Sequence, residues 1–218
     1  TIDYGPCAFM DAYHPETVFS SIDSYGRYAY QNQPQIAHWN LAQLASSLLP
    51  LIDEDEDRAI AKATEVIGHY PALYAAAWGQ VFGANLGLGD VSGERIALVS
   101  DLLEGMALAG ADFTQTFRHL AEHGALQDTL AQNAKLSAWL PRWRAEMDPE
   151  ADLTRTNPAI IPRNHQVEAV IAAAVAEDFG PFEAFHEALA QPFDAPSDSP
   201  YRAAPEPQEK VKATFCGT

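Results

Sequence analysis

The sequence predicts a mainly α-helical unit with little β structure, and two observations carry that prediction. Apolar residues recur at spacings of three and four in one segment after another, and proline and glycine punctuate the boundaries of those segments. Residues 1–13, TIDYGPCAFMDAY, read as the end of a strand running into a loop. From His14 to Gln33, Pro15, Gly26 and Pro34 break up a stretch rich in Ser, Asp and Tyr that lacks periodicity. A loop this long is functional or disordered as a rule. Phe19, Ile22, Tyr25, Tyr28 and Tyr30 are expected to anchor it, so it is read as ordered.

Pro34 opens a helix whose Ile36, Trp39, Leu44 and Leu48 share a face, and Pro50 is expected to stop it. The run Asp53-Glu54-Asp55-Glu56-Asp57 starts the next helix. Consecutive carboxylates fan out around a helix axis, so the run reads as a solvated first turn that complements the helix dipole, not as a metal site. That helix carries Ile60, Ala63, Ile67 and Tyr70. A second helical run begins after Pro71 and holds Trp78, Val81 and Phe82. Gly83, Gly87 and Gly89 follow without a preceding strand and without Gly-Lys-Ser/Thr, so they mark a helix end and turn, not a phosphate cradle. Ile96, Val99, Leu102, Leu103 and Met106 form the next stripe, closed by Gly110. Asp112 with Gln115 three residues on starts another helix, with Phe113, Phe117 and Leu120 inward. Trp139, Leu140 and Trp143 within 135–146 are assigned to the core. Residues 149–162 connect to helices at 166–178, with Val167, Val170, Ile171, Ala174 and Val175, and at 181–190, with Phe182, Phe185 and Leu189. The expected organisation is a loop-bearing segment 1–34, a helical domain 35–193 and an extended tail 194–218.

Composition narrows the classes of function. With 218 residues, 47% of them hydrophobic, the chain is long enough and apolar enough to bury a sizeable core. A net charge of -17 repels phosphate backbones and anionic lipid, which argues against nucleic-acid and membrane-surface roles. Cys7 and Cys216 are the two cysteines, too few for a disulfide framework and without metal-site spacing, so a reducing compartment is the default. A bridge between them would need Cα atoms within about 7 Å. His119 and His123 stand at i, i+4 but lack the Glu of a His-Glu-x-x-His site, and read as surface or capping residues. No serine sits in Gly-x-Ser-x-Gly.

The opening stretch carries the most chemistry. Asp3-Tyr4-Gly5 is an Asp-aromatic-Gly pattern of the kind that presents a metal-binding aspartate in protein kinases. On the tripeptide alone, Asp3 capping a turn with Tyr4 in the core is the favoured reading. A longer set of strings adds to it: DYGPCAFMDAYHP, Gly26-Arg27-Tyr28, Asn32-Gln33-Pro34 and Trp39-Asn40-Leu41 near one end, then Asn157-Pro158, Arg163-Asn164, Gln191-Pro192-Phe193 and a near-terminal cysteine at the other. Together and in this order they resemble the selenoprotein O (YdiU) family of kinase-like protein adenylyltransferases. The middle of the chain, about 50–150, carries no matching motif.

That resemblance implies a kinase-like C-lobe portion with a helical extension, read here as a piece of a longer protein. It implies AMP transfer from ATP to Ser, Thr or Tyr hydroxyls of protein substrates, with Mg²⁺ (or Mn²⁺) held in part by Asp3. The partner asparagine, the lysine–glutamate pair and the loop over the phosphates are not in this sequence, so the chain alone is expected to be inactive. Asp11 is a second nearby carboxylate, for which a loop-stabilising hydrogen bond is the alternative. Cys216 falls where family members carry selenocysteine or cysteine, which implies redox chemistry. Phe19 stands where many bacterial members have its cysteine partner. Arg163-Asn164 reads as capping and packing. The family implies a cytoplasmic location in bacteria and a mitochondrial one in eukaryotes. The competing reading is an acidic helical module that recruits a protein partner through residues 14–33 without catalysis.

Overall fold

A computed structural model describes residues 9–214. The helical stripes become nine α-helices among these residues: α1 (Gln33–Ile52), α2 (Glu56–Gly68), α3 (Tyr70–Leu86), α4 (Glu94–Ala109), α5 (Phe113–His123), α6 (Asp128–Ala131), α7 (Ala134–Glu146), α8 (Asn164–Val175) and α9 (Gly180–Leu189). Their ends are chemically marked. Asp55 caps α2 by accepting from Arg58 N at 2.9 Å, and Asn133 caps α7 through Lys135 N and Leu136 N. Gly87, Gly110 and Gly124 close α3, α4 and α5 in the left-handed conformation. The sole β pairing among the described residues is an isolated antiparallel bridge between Ala12 and Asp112. The mainly α expectation with little β is met.

The core lies where the second half of α3 meets α4, α5 and α7. Phe82, Leu86, Leu98, Val99, Leu102, Met106, Phe117, Leu120, Leu136, Trp139 and Trp143 are buried there, joined by Tyr13 from the loop and Leu153 from a short 3-10 turn. The two tryptophans stack in parallel, and their indole N–H groups donate to Leu98 O at 2.7 Å and Leu86 O at 2.8 Å. They therefore fill volume without leaving a buried donor unpaired. Helices α1 and α2 form a hairpin on one side and α8 and α9 a second pair on another.

Four expectations need correction. Pro50 does not stop α1, which runs on to Ile52; so near the helix end a proline removes little of the hydrogen-bond ladder, and packing on α2 holds the last turn. Ile96 faces solvent, and Leu98 takes the inward position instead. The apolar stripe of α8 contributes no buried residue. In the loop, Tyr25 is 98% exposed, and Ile22 and Tyr28 also face solvent. Among the described residues no helix is long and apolar enough to cross a membrane.

Candidate functional site

The chain from Asp11 to Tyr13 is fixed by polar contacts. Asp3 itself, with Cys7 and Cys216, lies outside the described residues. From Phe9 onward the chain runs beside the start of α5: Tyr13 N donates to Ala111 O at 2.8 Å and Phe113 N donates to Asp11 O at 2.7 Å. Tyr13 then packs edge-on to Tyr30 and against Phe113. Burial, with Tyr13 and Tyr74 nearby, pushes the Tyr30 phenol up to about 12. The rest of the loop folds on itself. Asp23 accepts from Arg27 N and Tyr28 N, Gly26 takes a positive φ of 65°, and Asn32 Nδ2 donates back to Gly26 O at 2.9 Å. The loop is ordered as expected, but by an Asx-type turn and by Tyr13, Ala29 and Tyr30 instead of Ile22, Tyr25 and Tyr28.

Arg163 is the hub of this region. Its guanidinium is fully buried, and its Nη1 donates to Asp11 Oδ1 and, at 2.7 Å, to Asp112 Oδ2. Burial works against its charge, but Asp112 and then Asp11 outweigh that and hold its pKa above the ordinary arginine value. Asp112 also accepts from Gln115 N at 2.7 Å, so one carboxylate both caps α5 and pairs with Arg163. The backbone of Arg163 does sit at the start of α8, but the side chain ties the loop to α5 instead of capping. Asp11 stands as a structural partner of Arg163.

The strings Asn157-Pro158 and Gln191-Pro192-Phe193 meet in a second network. Asn157, buried, donates to Asn85 O at 2.8 Å and Leu153 O at 2.9 Å. Pro192 O accepts from Ala159 N, and Phe193 O accepts from Arg118 Nη1 at 2.9 Å. Glu122 binds both Arg118 and Arg202; burial alone would raise its pKa, but the hydrogen bonds from Arg202 and Arg118 hold it below the usual value. The chain after α9 is thereby fastened to α5.

The tail then returns to the loop. Ser21 N donates to Thr214 O at 2.7 Å, Thr214 N donates to Ser21 Oγ at 3.0 Å, and Thr214 Oγ1 donates to Phe19 O at 2.8 Å. A cavity of about 280 Å³ lies between residues 9–12, residues 17–21, Asn164 and residues 211–214. Phe19 has no thiol, so the contact there is made by hydrogen bonds. Nothing in the local sequence signals this meeting of positions 19–21 and 214; only the family resemblance pointed at Phe19.

The described residues do not by themselves build a metal site. No group of three or more His, Cys, Asp or Glu converges among them, and Asp11, the carboxylate nearest Asp3 in sequence, is engaged by Arg163. His119 and His123 lie ring to ring at 4.4 Å on α5. Burial and then His123 lower the His119 pKa.

A helical unit with a pinned loop at one edge is the segment that this chain shares with proteins named as nucleotidyltransferases. The protein nucleotidyltransferase YdiU of Ruegeria sp. (strain TM1040) is 50% identical over 223 residues, and that of Cereibacter sphaeroides 50% over 226. The Rhizobium etli protein of the same name is 48% identical over 235 residues. Each match takes in 100% of this chain and 47% of the relative, so the chain spans about half the length of the curated relatives it matches. Residues 1–190 match the family described as protein adenylyltransferase SelO. The chain belongs to that family.

Proposed function

We propose that this chain is part of a protein adenylyltransferase that moves AMP from ATP to a Ser, Thr or Tyr hydroxyl of a protein. The observation that carries the reading is the family match over residues 1–190. In this reading the acceptor hydroxyl loses its proton and attacks the α-phosphorus, the bond from that phosphorus to the oxygen bridging to the β-phosphate breaks, and pyrophosphate leaves. Asp3 would hold in part a Mg²⁺ or Mn²⁺ ion, which when bound would supply neutralisation of the phosphate charge. The other ligands and the ATP cradle belong to the half of the relatives that this chain does not match, and the chain alone is inactive. The Arg163 hub supports the reading by fixing the backbone from Asp11 onward, eight residues after Asp3. The test is transfer of α-labelled AMP by the full-length protein with Mg²⁺ or Mn²⁺, with this chain alone in parallel. Asp3→Ala should lower transfer by about 100-fold or more. Wild-type transfer by that variant, or transfer by this chain alone, would overturn the assignment.

A further inference from the structure

Helices α1 and α3 are unlike the rest of the molecule. In a chain of which 20% is charged, α1 runs 20 residues and α3 runs 17 without a single Asp, Glu, Lys or Arg. A proportionate share for the two would be about seven. Helices on a protein surface ordinarily carry charged residues on the side away from the core, and a helix that turns an apolar face to neither core nor lipid lacks a cover for it; neither helix is long and apolar enough to cross a membrane. Yet α1 contributes no buried residue, and α3 buries only positions in its second half. Leu41, Leu44, Leu48 and Leu51 follow one another at spacings of three, four and three along a single stripe of α1 and are all exposed, Leu51 at 83%. Leu73 and Val81 on α3 are exposed too. His38 stacks on Tyr70 with ring centroids 5.1 Å apart, so the two helices adjoin.

We infer that this face is the internal interface on which the other half of the full-length protein packs. Two observations choose that occupant. The relatives carry as much polypeptide again beyond the stretch this chain matches, since it covers 47% of them. An uncharged surface spread over two helices has the composition of a domain core cut in two, the mark of permanent contact, whereas transient partners meet surfaces about as polar as any other. The inference rests on family membership and length and does not depend on adenylyl transfer, so its readout is assembly.

The test mixes the wild-type 218-residue chain with the non-matching half of the Ruegeria sp. (strain TM1040) relative, produced as a separate polypeptide. Light scattering after size exclusion should show a one-to-one complex. Emission of 1-anilinonaphthalene-8-sulfonate bound to the chain should fall several-fold as the complex forms, a readout that needs no variant. L44D/L48D should weaken assembly by at least about tenfold, whereas L108D, at a more exposed leucine on α4, should not. Absence of a complex would overturn the inference. So would a closed dimer of this chain that the added half does not dissociate, or a complex indifferent to L44D/L48D.

Discussion

Arg163 shows how one side chain fixes a region that the sequence spreads across the whole chain. It brings together Asp11, 152 positions away, and Asp112, 51 positions away, in a place where its guanidinium has no contact with solvent. Removing it leaves two carboxylates facing each other without a counter-charge, and breaking a buried pair in this way costs about 3–5 kcal/mol. Arg163→Met should therefore lower the urea midpoint sharply. Arg163→Lys should recover only part of the loss, because an ammonium cannot reach two carboxylates as a planar fork does. Asp11→Asn should cost less than Arg163→Met, since Asp112 still pairs with Arg163. An Arg163→Met protein with the wild-type midpoint would show that the hub holds nothing. None of this was legible locally: Arg163-Asn164 has the look of a helix start, and Asp11 that of a loop residue. The chemistry arises from their meeting, which periodicity does not encode.

At the level of elements, the sequence was most readable where local chemistry decides the outcome. Asp112 with Gln115 and the terminal Gly110 mark helix ends by groups within a few residues, and those ends stand as expected. Gly83 is a different case, because its reason is a neighbour in space. A Cβ there would lie 2.1 Å from Gly89 O, where the chain turns back under the end of α3. Gly83→Ala should force the turn away and cost about 1–3 kcal/mol, as overpacking does. Gly68, in the last turn of α2, has nothing within 4 Å of the same position. Gly68→Ala should be neutral or stabilising by up to about 1 kcal/mol, through helix propensity. In thermal melts Gly83→Ala should therefore fall below the wild type and Gly68→Ala should match or exceed it. A Gly83→Ala protein melting at or above the wild type would show that the close approach is not what selects glycine there.

Across the whole molecule, stability is distributed unevenly, and the sequence does not show how. The stripes of α1 and α8 look like those of α4 and α5, because periodicity reports which residues share a face and not what covers it. In the structure α4, α5 and α7 surround the stacked Trp139 and Trp143, whereas α1 and α8 bury no residue. Helix α3 crosses from one regime to the other. Residues 71–77 are exposed, and from Trp78 onward Gly79, Phe82, Gly83 and Leu86 enter the core. Amides open locally where few apolar contacts must be broken, and only globally where the core itself must come apart. Hydrogen exchange on this chain should therefore be slowest in α4, α5 and α7 and fast in α1 and α8. Within α3 it should change by orders of magnitude across Trp78, although the hydrogen-bond ladder is continuous there. Uniform protection along α3 would mean that the helix is held as one rigid rod, and the uneven burial would then have no thermodynamic consequence. A step at Trp78 would locate the edge of the independently stable core to within a single helical turn.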